Sequence, residues 1–309
     1  MHTHEHEHSH AHSPTVTAIT RTLIIGAVLN IVYVVVEFVM GLQTKSLALV
    51  ADAGHNLSDV AGLLLSLLAF RLAKVKSNQR FTYGLRKSTV LASLVNAVLL
   101  LLAVGGILLE SVQRFRHPEP VAGGIVAWVA GVGIVVNAAS ALLFFRNKEH
   151  DLNMKGAYLH LLADALVSVG VVVSGLVIGY TGWFWLDPAM GIVVAIVILS
   201  GTWSLLSDSL RLTLDGVPVG IDLADVQRMV GAVPGVLAVD HVHIWAMSTT
   251  ENALTAHLTV RPDLTNNQVV MVKKEVRHKL EHLGIEHATL EVNTDANRPE
   301  IYDETKLDY

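Results

Sequence analysis

The chain has 309 residues, of which 52% are hydrophobic and 16% charged, with a mean hydropathy of +0.49. An apolar content this high exceeds the usual range for a soluble globular domain. The net charge of −5 and the lack of a long basic run argue against a nucleic-acid partner, whose phosphates attract clustered Lys and Arg. Cysteine is absent, which excludes disulfides and thiolate metal sites, so a bound metal needs His, Asp or Glu ligands.

A histidine-rich tail opens the chain. Residues 1–12 alternate histidine with small or acidic residues, a low-complexity pattern typical of disorder. Purification tags are normally contiguous, so we interpret the tail as a natural segment whose histidines can capture metal ions loosely. We predict a disordered cytoplasmic tail over residues 1–20. No apolar signal-peptide core precedes the first hydrophobic stretch, so the first span is expected to be retained.

Six long apolar segments follow, each able to cross a bilayer, which takes roughly 20 helical residues. They cover approximately residues 22–42, 46–71, 88–111, 121–145, 156–180 and 186–207. Basic residues concentrate in the connections after the second and fourth segments, and Lys and Arg are enriched in cytoplasmic connections. We therefore predict an all-α membrane domain of six transmembrane helices over residues 21–214, with both termini in the cytoplasm.

Three ionisable residues share one face of the second span. Asp52, His55 and Asp59 lie at spacings of three and four residues, which places them on one side of a helix. An ionisable group at this depth costs about 2.5–3.5 kcal/mol on insertion scales, so three of them require a reason. Asp52, one turn before His55, is a candidate proton relay, a group near the aqueous entrance or a partner of a metal ligand.

The fifth span repeats the His-x-x-x-Asp spacing with His160 and Asp164. Two such pairs from packed helices supply two imidazole nitrogens and two carboxylate oxygens, a tetrahedral zinc set whose carboxylates neutralise a dication. One pair alone could equally hold two helices together, but the duplication favours a metal site. Glu37, Asn30 and Asn137 are expected to pack helices or line a pathway rather than to bind metal.

A separate domain begins at about residue 215, where the composition becomes mixed. Caps, breakers and alternating apolar residues predict a helix, a β-hairpin, a second helix and a final strand. Their predicted ranges are 222–230, 236–247, 253–260, 265–283 and 288–292. The α-β-β-α-β order predicts a small α+β domain over residues 215–295, with helices on one face of an open sheet and a C-terminal tail over residues 296–309.

The chain resembles the cation diffusion facilitator family of metal transporters, most closely its zinc-exporting bacterial members. The resemblance covers nearly the whole chain after the tail and rests on the segments Ser46–Asp59, Phe81–Arg86, His160–Asp164 and His243–Trp245. It implies a homodimeric zinc/proton antiporter with a ferredoxin-like, metallochaperone-like cytoplasmic domain, in a bacterial plasma membrane. It also implies that the ligands of the transported ion are His55, Asp59, His160 and Asp164.

The resemblance further implies a regulatory zinc site in the cytoplasmic domain, with ligands at His241, His243, His257 and Glu291. His241 and His243 share one face of the predicted hairpin, since strand side chains alternate; beside Trp245, His243 can also be read as a partly buried sheet residue. Lys87 and Asp215 resemble a salt bridge between protomers, although each could equally be a topology charge or a helix end.

Two features of the sequence indicate how many metal sites the protein has and which metal it prefers. Residues 73–87 contain no His, Asp or Glu, so we predict that the additional metal site found there in some family members is missing. Histidine rather than aspartate at position 55 is associated in the family with a preference for zinc over cadmium. We expect zinc as the substrate, with cadmium or cobalt as minor substrates.

Two other functions remain as alternatives. An intramembrane zinc metalloenzyme would need an open coordination position and a general base, and no His-Glu-x-x-His motif occurs in the predicted spans. A membrane-anchored metal sensor would need the spans only as a tether, which requires no buried charges. We therefore predict a transporter rather than an enzyme, exporting zinc by alternating access around a midplane site.

Overall fold

The computed structural model describes residues 16–145 and 152–294, and within them the side chains of residues 28, 30–58, 60–62, 64–142 and 162–294. Most of the predicted N-terminal tail and all of the C-terminal tail lie outside the described residues. Six long helices come first: α1 (Val16–Thr44), α2 (Leu47–Ala73), α3 (Ser88–Arg116), α4 (Gly123–Phe145), α5 (Leu152–Thr181) and α6 (Leu186–Thr213).

The long helices carry apolar side chains on their outer surfaces. Leu102, Trp128 and Leu142 are 69%, 76% and 68% exposed, an arrangement that water disfavours and lipid accepts. In the described part of the chain, five helices are long and apolar enough to cross a membrane, and α1 contributes the shorter described stretch Asn30–Thr44. With 29 residues, α1 is itself roughly 44 Å long. The chain is therefore a multi-pass membrane protein, as predicted.

The structure divides into two compact units. Of the described residues, the first comprises residues 16–60, 100–145 and 152–200, and the second comprises residues 61–99 and 201–294. The core of the first unit draws buried residues from five of the long helices, including Leu49, Val104, Val126, Val171 and Val194.

Within the first unit, α4 and α5 approach closely because both helices present glycine at the crossing. A Cβ atom on Gly123 would lie 2.4 Å from the carbonyl oxygen of Gly175. One on Gly175 would lie 2.7 Å from the amide nitrogen of Ala127. Small residues at such crossings let van der Waals packing hold helices together in lipid, where the hydrophobic effect cannot. The close packing of these two helices therefore fixes the position of α5 relative to α4.

The C-terminal domain, defined here as α7 to β3, lies in the second unit. Its elements are α7 (Leu223–Gly231), β1 (Val236–Ala246), β2 (Asn252–Val260), α8 (Asn266–Glu281) and β3 (Ile285–Thr294). The sheet order is β1-β2-β3, with β1 antiparallel to β2 and β2 parallel to β3. The predicted α-β-β-α-β fold is confirmed, although β3 is longer than predicted at both ends.

Local capping signals start both helices of this domain. The Asp222 side chain accepts hydrogen bonds from the backbone amides of Ala224 and Asp225 at the start of α7. Thr265 and Gln268 form a capping box at the start of α8. Each cap satisfies amides that have no partner within the helix, and is typically worth about 1 kcal/mol.

The two helices cover one face of the sheet. Val226 and Val230 of α7, with Val272, Val276 and Leu280 of α8, pack in one core with Leu254, Ala256 and Leu258 of β2. Since successive side chains of a strand point to opposite faces, His257 lies on the face away from the helices. We call this the outer face of the sheet.

A β-bulge interrupts β1 beside this face. The register with β2 shifts between Asp240 and His243, and His241 has a φ of 49°, in the left-handed region. One extra residue in a strand locally turns its side chains and breaks simple alternation. Val242 packs against the core, so the flanking His241 and His243 remain on the outer face.

Candidate functional site

The structure brings together one predicted ligand from α2 and one from α5. Nε2 of His55 lies 3.6 Å from Oδ1 of Asp164, and their side chains are 22% and 7% exposed. Zinc bonds of about 2.0–2.2 Å at a tetrahedral angle place ligand atoms roughly 3.3–3.5 Å apart. The two atoms are therefore spaced almost as a shared divalent cation would space them.

The other two predicted ligands are placed by their backbones alone. Asp59 lies in α2 one turn after His55, and His160 lies in α5 one turn before Asp164. Their side chains lie outside the described ones. Residues four apart share a helix face, so each completes the pair on its own helix. That all four bind one ion stays a prediction.

Asp52 makes a second polar contact between the same helices. It is 1% exposed, and Ser168 Oγ of α5 donates a 3.1 Å hydrogen bond to its Oδ2. His55 and Asp164 both lie near enough to act on it electrostatically. The hydrogen bond to Ser168, one turn after Asp164 in α5, places the Asp52 carboxyl beside the candidate ligands, and its role stays a prediction.

A third buried carboxyl group comes from α1. Glu37 is 0% exposed, and the Tyr33 hydroxyl donates a 2.7 Å hydrogen bond to its Oε1. The carboxyl group also lies beside Asp52 and Asn56 of α2. From its sequence context, Glu37 is expected to pack helices or line a pathway, and its position connects a third helix to the polar residues around His55.

The start of α2 is held by a residue that the sequence analysis missed. Asp187, in the first turn of α6, is 1% exposed. Its Oδ1 accepts a 2.5 Å hydrogen bond from Ser46 Oγ, and its Oδ2 accepts a 2.6 Å bond from the Leu47 amide. Ser46 Oγ in turn accepts a hydrogen bond from the Leu49 amide. Asp187 thus fixes the end of the helix that carries His55; an acid in an apolar segment was its only signal in the sequence.

A second group of predicted ligands lies on the outer face of the sheet. In the strand register, His257 lies opposite Asp240 of β1 on one side and opposite Glu291 of β3 on the other. Its Nε2 lies 3.5 Å from Glu291 Oε2, and its ring centroid lies 5.1 Å from that of His241. The exposed His243 lies further out, 6.5 Å from His241 between ring centroids.

These predicted ligands are neighbours on the outer face, but they do not surround a common point. Among the side chains that the structure describes, no group of three or more His, Asp or Glu is close enough to hold a metal ion as placed. A shared ion at His241, His257 and Glu291 would require these side chains to move, so the ligand set stays a prediction.

Charged pairs mark the second unit at the α2–α3 connection. Lys87 Nζ forms an ion pair with Asp215 within one chain, so their pairing between protomers stays a prediction. Arg86 Nη1 lies 2.6 Å from Glu251 Oε2, on the β1–β2 turn. The Thr249 amide of that turn donates a 3.0 Å hydrogen bond to Thr89 Oγ1.

Comparison with known proteins matches both parts of the chain. The family model of the cation efflux transmembrane domain matches residues 23–213, and that of the cation efflux protein cytoplasmic domain matches residues 218–295.

Several characterised proteins are similar over most of their length. The zinc transporter ZitB of Escherichia coli (strain K12) is 39% identical over 263 residues, which cover 84% of this chain and 83% of that protein. The cadmium, cobalt and zinc/H(+)-K(+) antiporter of Bacillus subtilis (strain 168) is 34% identical over 90% of each chain. The metal cation efflux system protein CzcD of Cupriavidus metallidurans is 35% identical over 88% of this chain and 85% of that protein.

Proposed function

The chain belongs to the cation efflux family, and from that premise we propose that it exports zinc from the cytoplasm in exchange for protons. The observation that carries the proposal is the approach of His55 and Asp164, from two helices, to 3.6 Å in a largely buried setting. Relatives named as zinc transporters and as a zinc/H(+)-K(+) antiporter support the same function.

The transport site consists of His55, Asp59, His160 and Asp164. Two imidazoles and two carboxylates give zinc the four N and O ligands of a tetrahedral site. The two carboxylates balance the double charge of the ion, which lowers the cost of holding it away from water. When no ion is bound, keeping two charged carboxylates away from water costs free energy, unless protons neutralise them.

Proton exchange follows from the chemistry of the ligands. Zinc binds deprotonated imidazole and carboxylate, so loading the ion releases protons and arriving protons displace it. Imidazole titrates near neutral pH, which makes His55 and His160 the coupling groups. Asp52, buried beside them and hydrogen-bonded to Ser168, is the proton relay. Rocking of helices around this site exposes it to the two sides in turn.

Zinc is the preferred ion, and cadmium and cobalt are minor substrates. Relatives of this chain carry zinc, cadmium and cobalt in their names. Two imidazole ligands in a small tetrahedral set disfavour ions larger than zinc.

The domains and their orientation complete the proposal. Residues 21–214 form the membrane domain, and residues 215–295 form a cytoplasmic metal-binding domain. Both termini face the cytoplasm of a bacterial cell, and the protein lies in the plasma membrane as a homodimer. Lys87 and Asp215 pair between protomers in the dimer.

Zinc also binds the outer face of the sheet and regulates transport. His241, His257 and Glu291 are a donor set that suits zinc, and His257 already lies 3.5 Å from Glu291. His243 can join them after a side-chain rotation. Binding that favours one arrangement of the cytoplasmic domain makes transport respond to cytoplasmic zinc. The histidine-rich tail raises the local zinc concentration without taking part in the transport step.

The family membership disfavours the two alternatives. The relatives are transporters and not enzymes, so hydrolysis by an intramembrane zinc centre has no support from them. A metal sensor that is only tethered to the membrane leaves the polar residues between α2 and α5 without a role.

Zinc flux into proteoliposomes, with and without a pH gradient, tests the proposal. We expect flux that the gradient accelerates and that His160→Ala with Asp164→Ala abolishes. Glu119→Gln is the matched control, because this exposed acid pairs with Lys45 away from the site. Flux that survives the double substitution, or peptide cleavage without zinc movement, contradicts the proposal.

A further inference from the structure

Helix α8 carries two histidines that none of the sites above uses. His278 and His282 are both exposed, and they lie four residues apart at the end of the helix. The buried residues of α8 are Val272, Val276 and Leu280, which pack into the core. The two histidines therefore lie on the solvent side of α8, and the sheet separates them from His257 on its outer face.

The two imidazoles converge on one point. Their Nε2 atoms are 3.3 Å apart, and their ring centroids are 4.6 Å apart with planes at 71°. Two zinc–nitrogen bonds of about 2.0–2.1 Å at a tetrahedral angle span about 3.3–3.4 Å between the nitrogens. The separation in this structure therefore equals the bite of a tetrahedral zinc ion.

We propose that His278 and His282 form a two-histidine site for a borderline divalent cation such as Zn²⁺. Two histidines at positions i and i+4 on one helix face are an established zinc-binding arrangement. Water completes the coordination, because both side chains are open to solvent. Binding at this pair does not depend on transport, so it goes beyond the proposed function.

The backbone that carries both histidines is held in place by the helix and its core contacts. His282 is the C-cap of α8 and keeps a helical backbone, with φ −66° and ψ −17°. Val276 and Leu280, on either side of His278 in the chain, are fully buried and hold the last turns against the sheet. Little backbone entropy is therefore lost on binding, which favours affinity.

A hydrogen bond between the two rings is the simpler account of the same distance. Between exposed neutral groups such a bond contributes little to stability, because water competes for both atoms, and it needs a proton on one Nε2. A metal needs both Nε2 atoms deprotonated, with the Nδ1 protons facing water. Metal binding and the hydrogen bond thus predict different reactivity of Nε2, which an acylating reagent can report.

The test is diethyl pyrocarbonate labelling of the full-length protein in detergent, with each histidine quantified by peptide mass spectrometry. The probe is Zn²⁺ alone at about 100 µM, and Mg²⁺ is the metal control. For a dissociation constant of about 10 µM we expect labelling of both histidines to slow roughly tenfold. The exposed His117, which has no histidine one helical turn away, is the internal control and should label equally with and without zinc.

Single substitutions decide whether the two residues act together. In His278→Gln, zinc should no longer protect His282, and in His282→Gln it should no longer protect His278. Both positions are exposed, so the variants should fold, which circular dichroism checks. The proposal is overturned if zinc protects neither residue of the wild-type protein, or if His282 stays protected in His278→Gln.

Discussion

The candidate transport site and the outer face of the sheet both pair a histidine with an acid, but water reaches the two acids very differently. His55 and His257 have similar side-chain exposures, 22% and 24%. Asp164 is 7% exposed, whereas Glu291 is 52% exposed. A buried carboxylate needs a cation or a proton as partner, while an exposed one is stabilised by solvent. The two pairs therefore differ in the burial of the acid more than in that of the imidazole, and only the Asp164 carboxylate needs a cation or a proton in place of solvent.

The two regions also differ in what holds their ligands. His55 and Asp164 belong to separate helices, and Ser46, Ser168 and Asp187 set the positions of those helices through buried hydrogen bonds. On the outer face, neighbouring strands hold His257 and Glu291 in register. The relative position of His55 and Asp164 therefore depends on how two helices pack, whereas that of His257 and Glu291 depends on the register of neighbouring strands.

The largest expected effect comes from neutralising the buried acid. Asp164→Asn keeps the shape of the side chain and removes its charge, so His55 and the ion lose a buried counter-charge worth about 3 kcal/mol or more. We expect initial zinc flux in proteoliposomes to fall at least about 100-fold. The equivalent change on the outer face, Glu291→Gln, should lower maximal flux less than about threefold, because water screens that charge. Equal losses in the two variants would remove the distinction between the sites.

A smaller effect is expected at Asp52. The carboxyl beside the ligands can carry a proton, and an amide cannot, so Asp52→Asn should slow pH-driven zinc flux about tenfold and flatten its dependence on pH. Ser168→Ala is the matched control, since it removes the hydrogen bond but keeps the carboxyl. Flux measured across a series of imposed pH gradients gives the comparison. If Ser168→Ala slowed flux more than Asp52→Asn, the hydrogen bond between the two residues would serve to hold the helices together, and Asp52 would not be the proton relay.

On the outer face, the expected change is in the response to zinc concentration. His257→Ala removes the residue between His241 and Glu291, and we expect the zinc concentration for half-maximal flux to rise about two- to fivefold with little change in maximal flux. His287→Ala, on the same face of β3, is the control. A loss of maximal flux instead would place His257 in the transport step.

Local signals explain why much of the fold could be predicted from the sequence. Asp222 and Thr265 start α7 and α8 where their capping patterns predict, because a cap depends on residues within one turn. Long apolar segments likewise identify the membrane helices, since lipid constrains every residue along them. The repeated His-x-x-x-Asp spacing, which is local to each helix, likewise predicted that ligands of α2 and α5 would meet, and His55 and Asp164 do so.

Features that depend on distant residues were not predictable. Ser46 and Asp187 lie 141 positions apart, and no pattern in either segment indicates that they meet. The bulge at His241 needs a positive φ at a residue other than glycine, which strand alternation does not signal. The His278 and His282 spacing is visible in the sequence, but the convergence of their nitrogens depends on rotamers that only the structure gives.

The smallest effect on transport is expected from a change in the core of the C-terminal domain. Val276 is 0% exposed, and Val276→Ala should destabilise the domain by about 2 kcal/mol through lost burial and the cavity left behind. Hydrogen exchange of the full-length protein should show faster exchange in α8 and β2, while zinc flux at 25 °C stays within about twofold of wild type because the domain remains folded. Val270 lies on the exposed side of the same helix, at 62% exposure. Val270→Ala should therefore change the free energy of opening measured by hydrogen exchange by less than about 0.5 kcal/mol. If Val276→Ala abolished flux while its domain remained folded, packing of this core would control transport directly, and the proposed contrast between a buried transport site and an exposed regulatory face would fail.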